Sequence, residues 1–132
     1  MKKQRIHIEH ELTSNSENII WNLIATAEGL ARWMADDVQQ SGDTLAFTWG
    51  ELWSHHEIRE AYITDKVRNH YLRFRWKDEE DDAAYIELRM EKSDLTGDYT
   101  LAITDFAPAE DTDQMRDLWE DNLEQLHRSS GL

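Results

Sequence analysis

Apolar and polar positions alternate over residues 3–12, with Ile6, Ile8, His10 and Leu12 on one side and Arg5, His7, Glu9 and Glu11 on the other. That period of two predicts a half-buried strand. The period then changes. Ser14 stands three residues before Glu17, the spacing of a capping box, and Ile19, Ile20, Leu23 and Ile24 follow at helical intervals. Thr26 offers a cap for a second helical segment carrying Leu30, Trp33 and Met34, so a bent helical pair is expected over about residues 16–34.

Strand patterns return after this pair. A short strand near Val38 is separated by the turn signal Ser41-Gly42-Asp43 from a strand over residues 44–49, where Leu45, Phe47 and Trp49 share a face. Residues 52–62 and 69–77 read as two more strands, the second with Leu72, Phe74 and Trp76 inward and Tyr71, Arg73, Arg75 and Lys77 outward. The run Asp78-Glu79-Glu80-Asp81-Asp82 reads as a solvated hairpin tip. Beyond it Ala84, Ile86, Leu88 and Met90 alternate with charged residues, and residues 93–97 turn the chain into a strand carrying Leu101 and Ile103. Pro108 closes that strand. Asp111 and Gln114 then offer a cap for a helix to about residue 128, whose apolar face is Met115, Leu118, Trp119, Leu123 and Leu126.

No crossover helices separate the later strands, which excludes a parallel sheet and sets the class as α+β. The expected architecture is a curved antiparallel sheet of about six to seven strands wrapped around the long C-terminal helix, with two short helices after the first strand. Residues 1–132 show no repeat or linker, so one domain is expected.

Charge narrows the partners. The formal net charge is −14, so phosphate backbones and anionic lipid surfaces are repelled and nucleic acid is excluded as a partner. No cysteine is present, which removes disulfides, thiolate metal sites and a cysteine nucleophile, and suits a cytoplasmic location. Residues 6–11 alternate and carry charge where a signal peptide would be apolar, and no apolar run approaches the roughly 20 residues of a membrane-spanning helix.

Two stretches resemble a known family. Residues 20–33, from Ile20-Trp21 to Arg32-Trp33, are similar to the helical pair of the START-like (SRPBCC) superfamily, in particular its branch of Aha-type activators of heat-shock-protein ATPases. The run from Thr100-Leu101 to Asp105, with Leu118-Trp119 and 123–126 after it, looks like the same family's last strand and gripping helix. The resemblance extends over about residues 4–126 and implies a helix-grip fold. It also implies one of two kinds of work, holding a small hydrophobic ligand or lipid between sheet and helix, or serving as a co-chaperone-like protein-interaction adaptor. A fold shared so widely does not choose between them.

The residues themselves supply candidates. Each of the six tryptophans can bury about 150–250 Å². Core packing is the plain account of them. The sharper reading is that Trp33, Met34, Trp49, Trp76, Met90 and Trp119 line an apolar cavity, with His10 and Asn122 as inward polar groups that would orient an apolar ligand. The inner space is expected to open where the second helix meets the hairpin tips. His55, His56 and Glu57 are too few on one strand face for a metal site, and Asp78 to Asp82 lack the glycine and spacing of a calcium loop. No catalytic acid and base converge, so neither a catalytic residue nor a cofactor is assigned, and a cyclase or hydrolase using His10 or a histidine of the pair His55-His56 ranks last. Trp21, at the margin of a helical face, is a candidate contact for a homodimer or a protein partner.

Overall fold

A computed structural model describes residues 2–50 and 56–132. The elements run β1 (Gln4–Glu11), α1 (Glu17–Ala25), α2 (Ala27–Leu30), β2 (Asp37–Ser41), β3 (Thr44–Gly50), β4 (His56–Val67), β5 (Tyr71–Trp76), β6 (Ile86–Lys92), β7 (Tyr99–Ala107) and α3 (Thr112–Ser130). The strands form one antiparallel sheet in the order β1-β7-β6-β5-β4-β3-β2, so all but β1 follow a meander. All three helices pack on the inner face, where Ile20, Ile24, Leu30, Trp33, Phe47, Leu72, Phe74, Leu88, Leu101 and Trp119 are buried in one cluster. This is the expected α+β helix-grip architecture. Among the described residues no helix is long and apolar enough to cross a membrane.

The alternation read from the sequence sets the sheet's two faces, but helix caps differ. Helix α1 begins after Ser16, whose side chain makes no capping bond, and Ser14 instead accepts a hydrogen bond from the Ser16 amide at 3.0 Å. Asp111 does not cap α3 through its side chain either, because a 3-10 turn at Ala109–Asp111 leads into that helix and holds Asp111 at φ −109°, ψ 4°. Thr26 does act as a cap. Its hydroxyl accepts from the Gly29 amide at 2.9 Å and donates to the Asn22 carbonyl at 2.6 Å, tying α2 to α1. A Cβ on Gly29 would meet the backbone of Asn22 and, at 2.7 Å, the Cα of Leu23, so only glycine permits this approach. Helix α2 is shorter than its pattern, and Trp33 and Met34 lie in the turn beyond it.

Three other expectations change. Trp21 is 8 % exposed and belongs to the core, so it offers no surface to a partner; Ile19, at 54 %, is the exposed apolar residue of α1. Leu118 is also 54 % exposed, at the edge of the α3 apolar face. The acidic tip is not wholly solvated, since Lys3 donates from its ammonium to Glu79 at 2.7 Å and from its amide to Asp81 at 2.8 Å. Trp53, His55 and the start of the strand expected over residues 52–62 lie outside the described residues, and His56 is exposed.

The outer face is polar yet ordered. Glu87 accepts from Arg73 at 2.9 Å and from Arg89 at 3.1 Å, and these guanidinium groups lie over the rings of Tyr85 and Tyr71 at 4.3 and 4.4 Å. Burial alone would raise the Glu87 pKa. The bonds from Arg89 and Arg73, with their charges, outweigh it and hold the carboxyl below its ordinary value.

Candidate functional site

Strands β3 and β5 bring Phe47, Trp49, Phe74 and Trp76 to the inner face because each pair sits two residues apart on its strand. Their rings form one aromatic wall, with Phe47 edge-on to Trp76 at 5.2 Å and Trp49 tilted against Trp76 at 6.2 Å. Trp119 of α3 faces this wall and is 1 % exposed; Trp33 lies against it at 6.1 Å. Every one of the three buried or half-buried indole donors described next has an acceptor. Trp33 donates to the Leu23 carbonyl, Trp49 to the Met34 carbonyl and Trp119 to the Asp105 carboxylate, each at 2.9 Å.

A cavity of about 260 Å³ remains between the wall and α3. It is lined by Met34, Trp49, Glu57, Arg59, Trp76, Ile86, Asp105, Met115, Leu118, Trp119 and Asn122. Glu57 and Leu118 are exposed and Asp105 and Trp119 buried, so the mouth lies between the start of β4 and α3, with Asp105 at the floor. Five of the expected residues thus meet here: Met34, Trp49, Trp76, Trp119 and Asn122.

The other three do not. Trp33 lies beyond Trp119 and lines a shallow neighbouring recess with Asp121 and Gln125. Met90 and His10 both pair with Leu101, four residues along β7 from Asp105, or about 13 Å at roughly 3.3 Å per residue. Their inward parity was sound, but register puts them at the far end of the sheet. There Met90 is buried in packed core, and His10 borders a separate groove with Leu123 and His127, its buried Nε2 without a hydrogen-bond partner among the described residues.

Three polar lining residues escaped the sequence reading, namely Glu57, Arg59 and Asp105. Asp105 was within reach, because it continues the inward series Leu101, Ile103, Asp105. One carboxylate oxygen accepts from Trp119 and the other from the Phe106 amide at 2.7 Å. Burial nevertheless dominates and lifts its pKa to about 6, since neither bond brings a full positive charge. Arg59 closes one side of the cavity, with its guanidinium 4.1 Å over the Trp76 ring and bonded to Asp78 at 2.9 Å. Among the described residues no three His, Cys, Asp or Glu side chains converge as metal ligands.

The same architecture recurs in solved structures. A Bacteroides fragilis protein known from solution NMR is 40 % identical, matched over 97 % of this chain and 91 % of its own, with a TM-score of 0.64. The Aha1 dimer from Colwellia psychrerythraea shares 17 % identity over 97 % of this chain and 98 % of that one, TM-score 0.71. An AHSA1-like protein from Aeromonas hydrophila shares 14 % over 96 % and 91 %, TM-score 0.76. These last two likenesses are of fold alone. No curated protein matches the sequence. A family model described as a START-like superfamily domain covers residues 1–132, and with the sheet and the gripping α3 in agreement, the chain belongs to the START-like superfamily.

Proposed function

We propose that this chain is a non-enzymatic binding module that holds a small apolar molecule between the sheet and α3. The observation that supports this reading is the cavity walled by Trp49, Trp76, Trp119, Met34 and Met115, which a fully packed core would have filled. Its 260 Å³ falls just under the roughly 300–1,000 Å³ of drug-sized ligand pockets, so the occupant is short. The lack of cysteine favours the cytoplasm as the place where it works.

Native mass spectrometry of the chain purified from cells, with a screen of lipid and metabolite extracts, tests the proposal. A bound small molecule is expected, and Trp119→Ala should weaken its binding by more than the loss of stability explains. If no apolar probe shifts the indole NMR signals of Trp49, Trp76 or Trp119, the carrier reading fails.

A second reading, a protein-interaction adaptor, is favoured by Ile58 and Tyr62 on β4, which are 53 % and 51 % exposed on the outer face. Self-association would be its simplest form. Sedimentation velocity should then show a dimer that Tyr62→Glu abolishes, and a monomer at all concentrations would remove that form.

A further inference from the structure

We propose, on the footing of that binding reading, that the molecule the cavity takes is an organic cation: a short amine or quaternary ammonium whose nitrogen sits against the indoles of Trp49, Trp76 and Trp119 and is countered by Asp105. Three indoles from three elements converge on one space, and the face of an indole ring attracts a cation through its quadrupole. The wall already accepts one. Arg59 lies 4.1 Å over Trp76, so a cationic group is accommodated at this surface without any further rearrangement of the ring.

The charges around the space have the same sense. Among the described residues two carboxylates line it, Asp105 and Glu57, against one cation, Arg59, and that guanidinium is already engaged by Asp78 and by the Trp76 ring. The remaining charged groups that act on Asp105 are Lys3 and Glu79, and these are bonded to each other at 2.7 Å. An anionic ligand would therefore meet unbalanced negative charge. A cation meets a nine-tenths-buried carboxylate whose oxygens each have, among the described residues, one hydrogen-bond donor, leaving acceptor capacity free. The net charge of −14 also concentrates cations near the surface.

Matched probes separate this inference from the reading beneath it. The intact chain is titrated with n-hexylamine, n-hexanol and n-hexanoate, and the indole signals are followed by NMR. Hexylamine should bind roughly tenfold more tightly than hexanol, and hexanoate most weakly. Because the Asp105 carboxyl is raised to about 6, hexylamine affinity should fall between pH 7 and pH 5 while hexanol affinity stays level. Asp105→Asn should bring the amine down to the alcohol. Should that variant not fold, Glu57→Gln at the exposed mouth is expected to weaken hexylamine by about twofold to fourfold and leave hexanol unchanged. Equal affinities for amine and alcohol overturn the cation inference and leave an apolar site. No binding by any of the three overturns both.

Discussion

Glu87 and Asp105 are two carboxylates on neighbouring strands, each 8 % exposed, on opposite faces of the same sheet. Their acidities move in opposite directions. Glu87 is flanked by Arg73 and Arg89 and held low, whereas Asp105 has only an indole and a backbone amide and is pushed up to about 6. Equal burial therefore says little about a charge until its partners are named. On the outer face the carboxylate is a structural anchor for two arginines. On the inner face, among the described residues, the carboxylate is bonded only to an uncharged indole and a backbone amide.

The contrast can be broken in order of size. Asp105 has a raised folded-state pKa, so the native chain binds more protons than the unfolded one between about pH 4 and pH 6, and stability falls as pH rises through that window. A shift of about two units corresponds to on the order of 3 kcal/mol. Asp105→Asn should recover that amount relative to the unchanged protein between pH 4 and pH 7, read from urea denaturation at both. Parallel pH profiles would show that the Asp105 charge is not the unbalanced one.

Glu87 should behave in the reverse sense, because its lowered pKa contributes stability at neutral pH that is lost as pH falls below the ordinary carboxylate range. The arginines are about a third exposed, so Glu87→Gln is expected to cost about 2 kcal/mol at pH 7, between the values for surface and buried pairs. That difference should shrink as pH falls through the lowered titration range of Glu87 in the same denaturation series. The smallest effect is sharpest in diagnosis: Trp119→Phe keeps an aromatic ring but removes the donor to Asp105, at about 1–2 kcal/mol. Carboxyl carbon NMR should then place the Asp105 titration above its present position, and an unmoved titration would mean the indole bond contributes little.

Much of the fold was legible because strand parity is a local property. Leu72, Phe74 and Trp76, or Ala84, Ile86, Leu88 and Met90, announce their inward face two residues at a time. Parity does not tell how far along the sheet a residue sits. His10 and Met90 share the inward side with Trp76 and Asp105, yet the pairing of both with Leu101 carries them to the packed end. Asp105 was missed for another reason, since an acid at an inward position reads as an interruption of the core until its partner Trp119 is seen beside it. The helix starts fell where expected, but the capping bond at the first did not, because Ser14 carries the signature while Ser16 holds the cap position.

The placement of β1 at the rim, beside β7, bears on how the chain reaches this state. Strands β2 to β6 can zip as successive hairpins, but Gln4 must find Ala107 across roughly a hundred intervening positions, a slow encounter by the usual relation between topology and rate. Asp105, opposite Ile6 and beneath Trp119, gains one of its covering elements in that encounter. Refolding at pH 5 should therefore take up a proton in its final kinetic phase, visible with an indicator dye after the tryptophan emission of the hairpins has settled. The chain would thus carry its own chemical clock for the moment its edge strand docks.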